Sequence, residues 1–489
     1  MRRTLVIATA FLAALLGISP VARAAAPASQ LQWKVCPDKE PDGSHAQCAR
    51  LSVPLNWAHP HGKRITLQLS RLPAAKPDQR VGALLFNPGG PGGEGAETVS
   101  ENGTVLFSQQ LRDRFDIVGF DPRGTGLSTS VQCTGAPLVS GVPVFPHTAA
   151  EFASVRRQSA KYGASCAKQT EPGLLENVDT ISAARDIDAI RVALGERKIN
   201  WLGISYGTYL GQTYARLFPH HIRTMVLDGA MDHATSPQAF LVEEVAAVED
   251  VFQRFARWCE STKSCPLYGR NVLRIWDRLI AKANRSPIPA PKEHTALDAA
   301  AIEMVLPETL IIGPTSFLGG DGSWTGIAEG VREASAGDAS LLASMTPVGE
   351  PQPAYVAVSC HDFPPQFHGY VEAAARLRIA EAVSPHTHAA SEAWMISDAC
   401  SNWPVKPADP WAYQPITKAP PILVVSTLHD PSTPLVGAQG LHSEIRGSRL
   451  LTADVVGHTG YLNSECAQQR ETDYLISGKL PPAGTTCGA

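Results

Sequence analysis

Three residues of this 489-residue chain have the side-chain types and the order along the sequence that nucleophilic catalysis requires. The first is Ser205 in the pentapeptide GISYG, whose pattern G-x-S-x-G can expose a serine hydroxyl on a sharp turn between a strand and a helix. Glycine at both flanking positions leaves room for that turn, because β-carbons there would collide. Ser205 is therefore the candidate nucleophile, and the alternative is a serine that only caps an ordinary helix.

The candidate acid and base follow two later apolar runs. Asp430 ends the run ILVVSTLHD, and His458 lies in the turn VVGHTG after LLTADVV. A serine nucleophile needs a base that takes its proton and an acid that orients the base. Asp228 in MVLDG is the competing acid, but Asp430 is preferred because Asp-Pro begins a turn and points the carboxylate off the strand end. The predicted triad in chain order is Ser205, Asp430 and His458.

A glycine-rich run, NPGGPGGEG, follows the apolar run VGALLF and could supply backbone N–H groups to a developing oxyanion. The first donor would be the N–H of Tyr206, directly after the nucleophile, and the second would be that of Gly89 or Gly90. A phosphate-binding loop is excluded because no G-K-[ST] follows the glycines.

The run DPRGTGLS also ends an apolar stretch. The guanidinium of Arg123 could steer carboxylates toward the site. The interpretation that we favour is structural, with Asp121 and Arg123 bracing the loops around the active site.

These residues could meet at one edge of a mostly parallel sheet. Strand-like runs such as FDIVGF and KINWLGIS alternate with helical patterns such as TISAARDIDAIRVALGE, which predicts an α/β fold with crossover helices. Helical patterns separated by Pro and Gly clusters then predict an insertion. We divide the chain into a signal peptide (1–24), a first core part (25–232), a helical cap (233–415) and a second core part (416–489).

The N-terminus is typical of a signal peptide. Arg2 and Arg3 precede an apolar segment from Leu5 to Ile18, and Ala22-Arg23-Ala24 forms an A-x-A cleavage site. The alternative is a membrane anchor, but the segment is short for a span. We expect export by the general secretory route, to a periplasmic or an extracellular location.

The ten cysteines fit such an oxidising destination, because an even count in an exported chain favours disulfides. We predict that neighbours along the sequence pair with each other: Cys36, Cys48, Cys133, Cys166, Cys259, Cys265, Cys360, Cys400, Cys466 and Cys487. The absence of C-x-x-C argues against a zinc site, and no metal or organic cofactor is expected.

Composition sets further bounds. The chain is 44% hydrophobic and 18% charged, which favours a large core over disorder. Its formal net charge of −4 and the lack of a basic stripe argue against nucleic-acid binding.

Several motifs together resemble the secreted tripeptidyl aminopeptidase group of α/β-hydrolases, relatives of proline iminopeptidase. They include NPGGPGGEG, FDIVGFDPRGTGLS, DIDAIRVALGERKINWLGISYGTYLGQTYARLFP, FARWCESTKSCPL, AVSCHDFP, LVVSTLHDPSTPLVGA and GHTGY. The resemblance implies an α/β-hydrolase fold with a large helical cap, and cleavage of short peptides from a free N-terminus. The triad carried over by position is again Ser205, Asp430 and His458. One departure is Asn87-Pro88, where proline iminopeptidases have His before the glycines.

An exopeptidase needs an anion for the ammonium group of its substrate. Glu243, Glu244 and Asp362 are the candidates, although the two glutamates could form a solvated helix face and Asp362 could be structural. We therefore predict an exported serine exopeptidase that releases short peptides, tripeptides foremost, through an acyl-enzyme. The alternatives are an esterase with the same triad and a binding protein on an inactive scaffold; the second is disfavoured because no triad member is missing. The oligomeric state stays open.

Overall fold

The computed structural model describes residues 31–314, 323–350, 352–364, 367–409 and 411–488. The predicted signal peptide lies outside these ranges. The strands are β1 (Lys34–Val35), β2 (Gln47–Pro54), β3 (Arg64–Leu72), β4 (Gly82–Asn87), β5 (Phe115–Phe120), β6 (Ile199–Ile204), β7 (Ile222–Asp228), β8 (Ile288–Ala290), β9 (Thr295–Leu297), β10 (Leu423–His429), β11 (Arg449–Val456) and β12 (Thr486–Cys487).

The main sheet runs in the order β1-β2-β3-β5-β4-β6-β7-β10-β11-β12. Strands from β5 to β12 pair in parallel, whereas β1, β2 and β3 form an antiparallel edge that joins β5. The inner strands β4 and β6 are buried along their whole length, which is why their sequences are continuous apolar runs and do not alternate. The carboxyl ends of β6, β10 and β11 therefore reach the same edge of the sheet.

The helices are α1 (Gly95–Leu106), α2 (Gln109–Arg114), α3 (Ala149–Gln169), α4 (Thr180–Ala193), α5 (Tyr206–Leu217), α6 (Pro237–Ser261), α7 (Val272–Arg285), α8 (Ala299–Glu303), α9 (Val305–Thr309), α10 (Ser323–Ala336), α11 (Ser340–Ala343), α12 (Pro353–Asp362), α13 (Tyr370–Val383), α14 (Glu392–Cys400), α15 (Leu435–Glu444), α16 (Gly460–Asn463) and α17 (Glu465–Ser477). Helices cover both faces of the sheet. On one face, Ile187 of α4 and Leu210 of α5 join one apolar cluster, and on the other Val99 of α1 and Leu475 of α17 join a second. The predicted architecture, a mostly parallel sheet flanked by helices, is confirmed.

The chain between β7 and β10 builds a second layer above the carboxyl edge of the sheet. It contains the helices α6 to α14 and one antiparallel ribbon, β8–β9, which the sequence pattern did not predict. This layer has apolar clusters of its own, one of them around Phe252, Trp276 and Trp324. The insertion boundaries at 233 and 415 stay a prediction.

All ten cysteines form disulfides, and the pairs are the sequence neighbours that we predicted: Cys36–Cys48, Cys133–Cys166, Cys259–Cys265, Cys360–Cys400 and Cys466–Cys487. Of the helices that the structure describes, none combines the length and the apolar composition needed to cross a bilayer.

Candidate active site

Ser205 occupies the sharp turn between β6 and α5. Its backbone has φ 57° and ψ −126°, a left-handed conformation that a side-chain-bearing residue adopts only when the surroundings impose it. A β-carbon on Gly203 would overlap the carbonyl oxygen of Gly207, and one on Gly207 would lie 2.8 Å from the carbonyl oxygen of Asn87. The two glycines of GISYG are thus required by the turn, which lifts Ser205 above the sheet edge.

His458 follows β11 and lies against the carboxylate of Asp430, which follows β10. The Nδ1 of His458 is 2.9 Å from each carboxylate oxygen of Asp430. Asp430 is held in turn, because its carboxylate accepts the backbone N–H groups of Ser432 and Thr433 at 2.9 and 2.8 Å and the Thr433 hydroxyl at 3.0 Å. The Asp-Pro turn therefore fixes the carboxylate, and the carboxylate fixes the imidazole.

Asp228, the competing acid, has a different position. Its carboxylate accepts the backbone N–H groups of Gly460 and Tyr461 at 2.9 and 2.6 Å. Burial raises the pKa of Asp228 to about 6, although the two hydrogen bonds by themselves would lower it. Asp228 anchors the loop that follows His458, and the acid in hydrogen-bond contact with the imidazole is Asp430.

Ser205 and His458 line the same cavity, which has a volume of about 630 Å³. The Nε2 of His458 is buried and has no hydrogen-bond partner in the part of the chain that the structure describes. An unpartnered imidazole nitrogen in the cavity that a serine hydroxyl also lines is available to take its proton, and such contacts tighten when a substrate is bound.

The glycine-rich run passes close to Ser205, the predicted nucleophile. A β-carbon on Gly89 would lie 2.7 Å from the Ser205 β-carbon, so only glycine permits this approach. The N–H of Gly89 donates to the side-chain oxygen of Asn87 at 3.1 Å and is therefore committed. Within the described ranges the N–H of Gly90 has no such partner. Of the two predicted second donors, the geometry favours Gly90, alongside the N–H of Tyr206 at the start of α5.

Two carboxylates that the sequence analysis missed, Glu308 and Glu392, line the cavity beside Ser205 and His458. Burial and the charge of Glu392 raise the pKa of Glu308 to about 7. Burial also raises the pKa of Glu392, which accepts the Ser432 hydroxyl at 3.2 Å. Neither forms a salt bridge with Lys or Arg among the described residues. Their positions in α9 and α14 gave no sequence signal, since the packing of the insertion decides what faces the cavity.

The three predicted ammonium ligands lie outside the lining of this cavity. Glu244 is buried in α6 and accepts the backbone N–H groups of Glu392 and Ala393 at 2.8 Å each, so it caps α14. Asp362 is buried and accepts the Thr180 hydroxyl at 2.6 Å, which ties α12 to the start of α4. Glu243 is partly buried on α6. The geometry supports structural roles for Glu244 and Asp362, and it points to other carboxylates for a substrate cation.

Asp121 and Arg123 lie where they can hold together the loops around the site, which is the interpretation that we favoured. The guanidinium of Arg123 is fully buried and forms two hydrogen bonds of 2.7 Å with Asp186 of α4. The Asp121 carboxylate accepts the N–H groups of Ala96 and Leu127 at 2.9 and 3.0 Å. In the described ranges, no group of three or more His, Cys, Asp or Glu side chains is arranged to hold a metal ion.

The charges around His458 predict how the enzymatic activity falls at acidic pH. Burial lowers its pKa, but Asp430, Glu392 and Asp228 together raise it above the ordinary 6.5. A general base must be neutral, so we expect activity to fall as pH decreases through a value above 6.5. Glu392→Gln removes one of these charges and should move this fall to lower pH.

The measurement is kcat/KM for p-nitrophenyl acetate from pH 4 to 9, because this ester has no ammonium group and reports on the triad alone. A fall centred below pH 6 in the unmodified protein would contradict this electrostatic assignment, as would a fall that Glu392→Gln leaves in place.

Comparisons with known proteins place this chain in a family. The model described as alpha/beta hydrolase fold matches residues 82–296, and the model described as TAP-like protein matches residues 387–487. Tripeptidyl aminopeptidase of Streptomyces lividans is 31% identical over 493 residues, covering 96% of this chain and 88% of that protein. Serine protease Hip1 of Mycobacterium tuberculosis (strain ATCC 25618 / H37Rv) is 31% identical, covering 94% and 91%. Carboxylesterase B of the same organism and strain is also 31% identical, covering 96% and 92%. The resemblance seen in the sequence motifs is confirmed: the chain belongs to the tripeptidyl aminopeptidase-like family of α/β-hydrolases and is a serine hydrolase of the peptidase class.

Proposed function

We propose that this serine peptidase is an exported aminopeptidase that releases short peptides, tripeptides foremost, from substrates with a free N-terminus. The observation that carries the proposal is the pairing, in one cavity, of Ser205 and His458 with the carboxylates of Glu308 and Glu392. A nucleophile and its base account for peptide cleavage, and carboxylates without a protein cation account for recognition of an ammonium group. Relatives named tripeptidyl aminopeptidase support the same length of product.

The proposed reaction has two steps. Ser205 Oγ attacks the scissile carbonyl while His458 Nε2 takes its proton, and the N–H groups of Tyr206 and Gly90 stabilise the oxyanion. His458 then gives the proton to the amine of the leaving peptide, and the carbon–nitrogen bond breaks to leave an acyl-enzyme. Water attacks that ester with His458 again as base, which releases the N-terminal peptide and restores Ser205. Asp430 stabilises the imidazolium in both steps.

Restriction to the N-terminus would come from charge. Burial, and after it the charge of Glu392, raises the pKa of Glu308 to about 7, so the two carboxylates disfavour each other's ionisation. An ammonium group placed between them would favour the ionised form of both. An internal segment of a polypeptide offers only a neutral amide there, and so it would leave the carboxylates desolvated without compensation.

Export is proposed from two features of the chain. The first 24 residues have the composition of a signal peptide, and the five disulfides fit an oxidising compartment. Mass spectrometry of the protein purified from outside the cytoplasm tests this directly, because cleavage after Ala24 would leave Ala25 as the first residue.

The test of substrate class is a panel of mono-, di- and tripeptide anilides, each with a free and with an acetylated N-terminus. We expect the free tripeptide anilide to be the best substrate and acetylation to lower its kcat/KM at least tenfold. Equal turnover of free and acetylated peptides would overturn the aminopeptidase proposal.

Removing one carboxylate tests how the ammonium group is recognised. We expect Glu308→Gln to lower kcat/KM for free tripeptide anilides about 10- to 100-fold, since a charged hydrogen bond contributes about 1.5–3 kcal/mol. The acetylated anilide should lose little. Glu243→Gln is the matched control, because Glu243 lies on α6 outside the cavity lining, and it should leave both rates unchanged. A larger loss of kcat/KM in Glu243→Gln than in Glu308→Gln would indicate that the ammonium group binds at α6.

An esterase with the same triad is the second candidate, and the relative named carboxylesterase B favours it. It predicts that simple esters are hydrolysed at least as well as any peptide anilide in the panel. It also predicts that Glu308→Gln affects esters and free anilides equally.

A further inference from the structure

A second cavity of about 600 Å³ lies beside α1 and the edge strand β1, and it shares a wall with the active site. We call it the α1–β1 groove, lined among others by Val35, Asp38, Glu94, Glu101 and Leu127. We infer that this groove holds the part of a peptide substrate that follows the scissile bond and that it favours cationic side chains there. The inference rests on the proposed peptidase function and deepens it.

Continuity with the active site is the first argument. Glu94 lines both the active-site cavity and the groove, so that one residue forms the boundary between them. A peptide whose ammonium group is held at Glu308 and Glu392, with its scissile carbonyl at Ser205, has its first residues fixed on the insertion side. The remainder of the chain must leave the cavity elsewhere, and its route would be the groove, which adjoins the cavity at Glu94.

The residues that line the groove suit an extended chain. Its rim carries two apolar side chains with unusually high exposure, Val35 at 70% and Leu127 at 68%. Val35 belongs to β1, the terminal strand of the sheet order. An edge strand presents backbone groups to which an extended peptide can add, and neighbouring apolar side chains can cover its alternate residues. The Cys36–Cys48 disulfide holds β1 to β2 and gives the groove a fixed wall.

The charge of the groove decides which side chains it would favour in the part of the peptide that follows the scissile bond, which we call the tail. Four carboxylates line it, from Asp38, Glu94, Glu97 and Glu101, against the two cations Lys34 and Arg50. Arg50 already donates to the side chain of Gln68. The carboxylates repel one another: the pKa of Glu97 is raised first by its hydrogen bond with Glu94, and that of Glu101 by burial and then by Glu97 and Asp38. A Lys or Arg side chain in this groove would relieve that repulsion.

The experiment compares peptides that share one N-terminal tripeptide and differ in a five-residue tail carrying two Lys, two Gln or two Glu. We expect kcat/KM to fall in that order, with about tenfold between the Lys and Glu tails at low salt and less at 1 M NaCl. The tripeptide anilide, which has no tail, is the reference substrate.

Two variants connect the preference to the groove. The double variant Asp38→Asn/Glu101→Gln should bring the Lys-to-Glu ratio close to 1, and Glu101→Lys should invert it, while hydrolysis of the anilide changes less than twofold. Glu293→Gln, an exposed carboxylate on the insertion, is the matched control and should preserve the ratio. Thermal unfolding of each variant shows whether the fold is kept.

The possible results distinguish a failure of the groove inference from a failure of the proposed peptidase function. If the anilide is cleaved but the tails are cleaved equally, or if Glu101→Lys leaves the ratio unchanged, the groove inference is wrong and the proposed function stands. If no peptide substrate with a free N-terminus is cleaved, both are wrong.

Discussion

Replacing Ser205 by alanine is expected to lower kcat for the free tripeptide anilide about 10⁴- to 10⁶-fold, the range seen when a triad nucleophile is removed. The reason is chemical: without the hydroxyl, no acyl-enzyme can form, and the remaining oxyanion donors only assist direct attack by water. The change removes one oxygen from the cavity wall and leaves the β6–α5 turn as it is, so the melting temperature should stay within a few degrees. Stopped assays at high enzyme concentration are required to measure the residual rate.

Ser432→Ala is the matched control for that experiment. Ser432 also lines the cavity, and its hydroxyl donates to Glu392 at 3.2 Å, whereas the side-chain hydrogen bonds of His458 go to Asp430 and Thr433. We expect less than a tenfold loss. A Ser205→Ala protein that retained most of its activity would show that another group attacks the substrate, and the proposed mechanism would have to be abandoned.

The largest expected effect on stability is that of Arg123→Met. Arg123 is fully buried, pairs with Asp186 and donates to the backbone carbonyls of Pro54, Leu55 and Asn177 at 2.9 to 3.1 Å. Its removal leaves the Asp186 carboxylate buried without a cation, which typically costs about 3–5 kcal/mol. We therefore expect the free energy of unfolding, measured in urea with the disulfides intact, to fall by about that amount.

Two further variants test whether the loss of stability comes from the buried ion pair. Arg254→Met breaks a partly exposed pair with Asp250 on α6 and should cost less than about 1 kcal/mol. The double variant Arg123→Met/Asp186→Leu removes both buried charges and should recover part of the loss. An Arg123→Met protein as stable as Arg254→Met would show that the buried pair does not brace the loops after β5.

Local patterns were sufficient to predict the catalytic part of the fold. GISYG needs glycine on both sides for steric reasons that hold in any protein, and the runs of β4 and β6 are mostly apolar without alternation because inner parallel strands are buried on both faces. The proposal of Asp430 over Asp228 came from the Asp-Pro turn, and the same turn supplies the hydrogen bonds that hold the carboxylate. The helix α3 and the ribbon β8–β9 were not predicted, since their patterns are weak.

What the sequence could not provide depends on packing between distant segments. The choice between Gly89 and Gly90 rests on the orientation of the Asn87 side chain, which engages one of the two N–H groups. Glu308 and Glu392 lie 84 positions apart in sequence and meet only because the insertion folds over Ser205. Glu244 was predicted as an ammonium ligand because of its charge. It lies outside the cavity lining and caps the helix that carries Glu392.

The most direct measurement of the central claim is mass spectrometry of the products from one ten-residue peptide, offered with a free and with an acetylated N-terminus. The account predicts that the free peptide yields its N-terminal tripeptide and the matching seven-residue remainder as first products, and that the acetylated peptide stays intact. Cleavage of both forms at the same internal bond would contradict it, since no recognition of a free N-terminus would then be involved.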